Sequence, residues 1–144
     1  MPSMEPGQIP TGYEPHFRKS PLTDPWEPLF SRLHGGTVIL ALRVQQPHCN
    51  GKGFLHGGLI SALADNAMGL SVAETLREQG AERSRGGSTV SLALDFLQSG
   101  QIGQWVEVVP RVLRVGASIA FVDCVVLADT QPIARGNATY RFYQ

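Results

Sequence analysis

Cysteine, net charge and long apolar runs are all scarce in this 144-residue chain, and each shortage excludes something. Two cysteines, Cys49 and Cys124, form no CxxC pair and lack metal-ligand spacing, so neither a disulfide framework nor a metal site is expected. Reduced thiols fit a cytoplasmic protein. Twelve basic residues balance twelve acidic ones, which leaves no global field to draw in nucleic acid or an anionic membrane. The only basic residues in the first 24 positions are Arg18 and Lys19, too few for a DNA-binding arm. No apolar run is long enough to span a bilayer, and the opening MPSMEPGQIP has neither the basic region nor the apolar core of a signal peptide. A soluble single domain with a real core suits this length.

Proline is concentrated rather than scarce: seven of ten fall in the first 28 residues. Because proline removes a donor and fixes φ, residues 1–24 are predicted to be an extended arm outside the core, with residues 25–144 as the single domain. A short helical turn is predicted around Trp26 to Leu33, with Pro25 in its first turn. After Gly35-Gly36 the apolar period becomes two, giving a strand through Val38, Leu40, Leu42 and Val44. Pro47 to Gly53 reads as a loop. A helix follows from about Gly57 to Gln79, roughly 33 Å long, stopped by Gly80. Four more strands are predicted: Thr89 to Leu97, Trp105 to Val115 with an edge or bulge at Pro110, Ser118 to Ala128, and Ile133 to Tyr143. Turn signals at Ser99-Gly100, Val115-Gly116 and Asp129 to Pro132 imply antiparallel hairpins.

Within that helix charge is almost absent. Between Gly57 and Ala73 the one formally charged residue is Asp65, and Glu74, Arg77 and Glu78 come only in the last turns. The first four turns should therefore be enclosed and the end wet. Small residues (Gly57, Gly58, Ser61, Ala62, Ala64, Ala67, Gly69, Ser71 and Ala73) let strands approach closely. The fold class is α+β: one long central helix wrapped by a curved antiparallel sheet of about five strands. Such a sheet cannot cover its own edges, so a homo-oligomer is expected.

A lone carboxylate in an apolar helix is costly to bury, which makes Asp65 the first candidate for chemistry, as general base or nucleophile. A structural aspartate paired with Arg111, Arg114 or Arg141 stands against that reading. Gly57 and Gly58 open the helix with unpaired N–H groups suited to a developing oxyanion, or serve only close packing. Ser61 lies four residues from Asp65 on one face, with Met68 and Val72 nearby. Asn50 either bonds a water or carbonyl or stabilises its own turn. His56 is by default a cap, with proton shuttling as its other role. His48 and Cys49 suggest a Cys–His pair, yet neighbours in an extended loop point apart. Thr89 could position water. Arg83 and Arg85 could meet phosphates or simply be solvated.

The run NGKGFLHGGLISALADNA, from Asn50 to Ala67, resembles the signature of hot-dog-fold acyl-CoA thioesterases of the phenylacetate-degradation type. That pattern is Asn, then Gly-x-x-His-Gly-Gly, six residues, and Asp. The likeness continues through TVSLALDFLQSG, RVGASIAFVDCVV and ARGNATYRF. It implies a hot-dog fold and hydrolysis of an acyl-CoA to free acid and coenzyme A, with no cofactor and no metal. Asp65 would activate water or attack the thioester carbonyl, and the Gly57 N–H of an opposing subunit would polarise it. Asn50 and His56 match positions that contact the thioester region, and Thr89 a hydroxyl that orients water. Gly58, Ser61, Met68, Arg83 and Arg85 are the expected substrate-binding residues. Family members are dimers of hot-dog units, often paired into homotetramers. The chain departs from the family at Phe96-Leu97-Gln98-Ser99-Gly100, where Phe-Leu-Arg-Pro-Ala is common. Two rivals stay open: a dehydratase acting on hydroxyacyl thioesters, and a non-catalytic acyl-CoA binder with a silent site.

Overall fold

The computed structural model describes residues 7–80 and 86–143. One helix, α1 (Gly57–Glu78), lies against an antiparallel sheet of seven strands. They are β1 (Glu14–Pro15), β2 (Phe30–His34), β3 (Thr37–Arg43), β4 (Gly87–Phe96), β5 (Trp105–Val115), β6 (Ile119–Ala128) and β7 (Gln131–Phe142), in the spatial order β1-β2-β3-β5-β6-β7-β4. This is the hot-dog arrangement expected, with two strands more than the sequence suggested.

Both extra strands come from the N-terminal region. The expected turn from Trp26 to Leu33 shrinks to a single 3₁₀ turn at Asp24–Trp26, and Phe30–His34 is a strand. Pro28 is the reason: it holds Glu27 extended (ψ 146°) and stops the helix. Gly35 and Gly36, at φ 54° and 82°, then make a two-residue hairpin of the primed kind, which pairs β2 with β3. The proline-rich arm is docked rather than trailing: β1 pairs with β2, the His16 N–H donates to Leu29 O (2.9 Å), and His16 and Thr23 are buried.

The later strands fall where the period-two pattern put them, but not every connection is a hairpin. β5–β6 and β6–β7 are hairpins, the second through Asp129 and Thr130 with positive φ. The expected β4–β5 hairpin at Ser99-Gly100 does not form, because β4 pairs with β7 at the sheet edge. The chain instead crosses the helix entrance to enter beside β3. Leu55 N–H bonds Gly100 O (2.9 Å), and a Cβ on Gly100 would sit 3.0 Å from Leu55 Cβ, so the glycine permits this crossing. Pro110 lies beyond Val108, where pairing with β3 has ended, so its missing N–H breaks no ladder there.

The core forms between α1 and the inner sheet face. Leu59, Ile60, Leu63, Ala64, Ala67, Met68 and Val72 meet Leu40, Leu42, Val106, Val108, Val122 and Val126. Full enclosure of the first four helical turns does not hold within one chain. Ser61, Asp65, Asn66, Gly69 and Leu70 are only half-buried, because the sheet covers one side of α1 and leaves the other open. β4 is similarly uncovered: Val90, Leu92 and Phe96 are exposed along the sheet edge.

Candidate active site

Asp65 sits on the open side of α1, where one strand pair reaches it. Thr89 and Tyr140 are register partners on β4 and β7. The Thr89 hydroxyl donates to Asp65 Oδ1 (2.7 Å), and the Tyr140 hydroxyl lies 2.9 Å from the same oxygen and 2.7 Å from the Asp65 backbone carbonyl. Both hydroxyls lie within hydrogen-bond reach of Oδ1, the one Tyr140 proton being shared between Oδ1 and the backbone carbonyl, and Oδ2 has no partner among the described residues. Burial, then the Asp65 charge, pushes the Tyr140 phenol well above its ordinary pKa, so it remains a donor at neutral pH. The Tyr140 ring packs beside Gly69, at ordinary van der Waals distance from where a Cβ would lie (3.4 Å). No arginine among the described residues pairs with Asp65: Arg111 pairs with Asp123 (2.7 Å), and Arg141 lies over the Tyr143 ring.

Sequence reasoning missed Tyr140. The available signal was a phenol on the inward-facing row Ala138, Tyr140 and Phe142 of an otherwise apolar strand, since a buried phenol needs an acceptor.

The carboxylate opens into a cleft of about 390 Å³. Asp65, Gly69 and Leu76 line it from α1, Thr89 and Phe142 from the sheet edge, and His16 from the arm. Of the predicted residues, Asp65 and Thr89 come together here.

A second group gathers at the helix entrance. His56 is the N-cap, and its Nδ1 accepts the Gly58 N–H (2.8 Å), which leaves Nε2 to carry the ring proton. The Gly57 N–H, first of the helix, has no acceptor among the described residues. Ser61 donates to Gly57 O (2.8 Å). Asn50 Oδ1 accepts the Lys52 and Phe54 N–H groups (3.0 and 3.1 Å), so it stabilises its own turn and has only its amide NH₂ to offer. Gly57 and Asp65 are eight residues apart, about 12 Å along the axis, so one chain does not bring the two groups together.

Met68 belongs to neither group. It is fully buried on the sheet-facing side of α1 and does not line the cleft, which corrects its expected place against substrate. Arg83 and Arg85 lie outside the described residues. No Cys–His pair exists: both His48 ring nitrogens are bonded, to the Gln45 N–H and to Trp26 O. Burial pushes the Cys124 thiol up to about 11.

The model of one protein family, described as the thioesterase superfamily, matches residues 52–134, more than half of the chain. The chain belongs to the thioesterase superfamily. A candidate esterase of Pseudomonas aeruginosa is 35% identical over 133 residues, covering 92% of this chain and 96% of that protein. Human acyl-coenzyme A thioesterase 13 is 31% identical over 106 residues, covering 72% and 71%. Among solved structures, a Streptococcus mutans protein bound to acetyl-CoA superposes with a TM-score of 0.66 at 27% identity, over 75% of this chain and 82% of that one. The matched stretch runs from Lys52 to Ala134 and so contains Gly57, Asp65 and Thr89.

Proposed function

We propose that this thioesterase-superfamily protein hydrolyses acyl-CoA to free acid and coenzyme A, with an aryl or medium-chain acyl group as substrate. The observation that carries this reading is the Asp65 carboxylate, which lines a cleft, has two hydroxyls within reach of Oδ1 and leaves Oδ2 without a partner among the described residues. Oδ2 takes a proton from water as that water attacks the thioester carbonyl, the C–S bond then breaks, and the coenzyme A thiolate takes the proton. Alternatively, Oδ2 attacks the carbonyl itself and expels coenzyme A thiolate to leave an anhydride. Water opens the anhydride to the free acid and the Asp65 carboxylate, giving up a proton to the thiolate. Thr89 and Tyr140 hold the carboxylate in line, and Thr89 keeps acceptor capacity for the water.

The carbonyl oxygen needs donors as charge develops on it. The Gly57 N–H at the positive end of α1 supplies one, with the Asn50 amide and His56 Nε2–H beside it. These lie two helical turns from Asp65 of the same chain, so the entrance of a second copy completes the site. The uncovered β4 edge, with Val90, Leu92 and Phe96 exposed, supports such a pairing into a dimer or a tetramer of two dimers. No helix among the described residues is long and apolar enough to cross a membrane. Two free thiols support a cytoplasmic setting.

The test is thiol release from a panel of aryl and straight-chain acyl-CoAs. Wild type is expected to release thiol, and Asp65→Asn to lower kcat by about 10²–10⁴, the usual share of a general base. Binding without thiol release by wild type would establish the silent binder instead. An Asp65→Asn variant as fast as wild type would remove Asp65 from the mechanism.

A further inference from the structure

The N-terminal arm lines the cleft with two side chains, His16 and Arg18, whose polar groups have no part in the hydrolysis proposed at Asp65. His16 is only 4% exposed and lines the cleft, yet neither ring nitrogen has a hydrogen-bond partner among the described residues, and Nδ1 is fully enclosed. His48 is buried to the same degree and has both ring nitrogens bonded. The contrast matters because a buried polar group without a partner costs stability.

Next to His16 on the arm, Arg18 also lines the cleft, is exposed, and makes no ion pair or hydrogen bond among the described residues. Its neighbour Lys19 is occupied by Glu27 (2.9 Å), and that carboxylate also accepts the Leu29 N–H (2.7 Å). Thus Lys19 is paired, while the Arg18 guanidinium and the His16 imidazole both line the cleft without a partner among the described residues. The same cleft is lined by the apolar side chains of Val72, Leu76 and Phe142 alongside the polar Asn66 and Thr89.

We infer that His16 and Arg18 form an anion subsite of the Asp65 cleft, which selects acyl-CoA substrates whose acyl group ends in a carboxylate. The inference rests on the acyl-CoA reading of the cleft. The apolar side chains take the methylene chain, an imidazole N–H donates to one carboxylate oxygen, and the guanidinium offers its planar fork. A phosphate of coenzyme A shares this chemistry, so the test must separate the two anions.

The measurement compares kcat/KM for adipyl-CoA and chain-matched hexanoyl-CoA in wild type, His16→Phe and Arg18→Gln. The adipyl-to-hexanoyl ratio is expected to fall about tenfold in each variant, the size of one charge-assisted hydrogen bond. The same fall is expected with the 3′-dephospho forms of both substrates. An unchanged ratio in both variants overturns the subsite, and so does a loss that disappears with the 3′-phosphate, since it would assign the cation to coenzyme A. Arg18 is exposed, so Arg18→Gln gives an answer even if His16→Phe folds poorly. Calorimetric binding of both acyl-CoAs to Asp65→Asn reads the same preference without turnover. Intact preference in a protein that releases no thiol would fail the hydrolysis reading alone.

Discussion

The two sides of α1 are built from the same twenty-two residues and do opposite jobs. The side toward the sheet carries Leu59, Leu63, Ala67, Met68 and Val72, all buried in one core. The side away from it carries Ser61, Asp65 and Gly69, half-buried, and Ala73, exposed, all small or polar. Stability resides mainly in the first, and the proposed chemistry is placed in the second. A helix can carry a carboxylate through an apolar stretch because the sheet covers only one side of it. The other side meets two hydroxyls at Asp65 and a cleft beyond them.

The sharpest way to break this division is to mutate one residue on each side. Met68→Ala removes a fully buried side chain and should lower unfolding free energy by about 2–5 kcal/mol in denaturant titration. Asp65→Asn keeps an acceptor for Thr89 and Tyr140 and should leave the melting temperature near wild type while hydrolysis collapses. Equal destabilisation by both would erase the distinction.

Tyr140→Phe probes where the two sides meet. The ring still fills its place beside Gly69, but the hydroxyl that aligns Oδ1 is gone. We expect kcat to fall about tenfold, as for one lost hydrogen bond to a charged group, with KM nearly unchanged. A rise in KM at constant kcat would make Tyr140 a binding residue rather than a positioning one.

The smallest effect concerns the arm that lines the open side. Burial lowers the His16 pKa below 6.5, so the unfolded chain binds more protons than the folded one as pH falls below that value. Stability is then highest above about pH 6.5 and declines as pH drops toward the folded-state pKa. His16→Phe should flatten the fall in melting temperature as pH drops below about 6.5. An unchanged slope would place the acid sensitivity elsewhere.

How much of this was legible in the sequence follows the same division. The sheet side was readable, because helix period, strand alternation and glycine stops are local patterns that burial enforces. Asp65 and Thr89 drew attention in the sequence too, one as a solitary charge and the other at the start of a strand, and the fold brings them into contact. Tyr140 was not, since its role depends on β4 pairing with β7, a contact 75 residues from Asp65 in sequence. The β4–β5 crossover and the β2 hairpin were missed for related reasons. Turn residues mark where a chain changes direction without saying which strand it joins. Met68 was misplaced because a spacing of three or four residues puts a side chain near Asp65 without deciding whether it faces sheet or cleft.

The central claim is that Asp65 of one copy works with Gly57 of another, and subunit complementation tests it most directly. Gly57→Pro removes the N–H at a first-turn position where proline is favoured, and His56 already has the extended backbone (ψ 130°) that a following proline requires. Asp65→Asn and Gly57→Pro should each be nearly inactive alone. Co-assembled in equal amounts, random pairing of the two chains should restore about a quarter of wild-type activity, because each mixed pair holds one intact site. Mixed assemblies that form but stay inactive would contradict the shared site and place both residues' work within one chain.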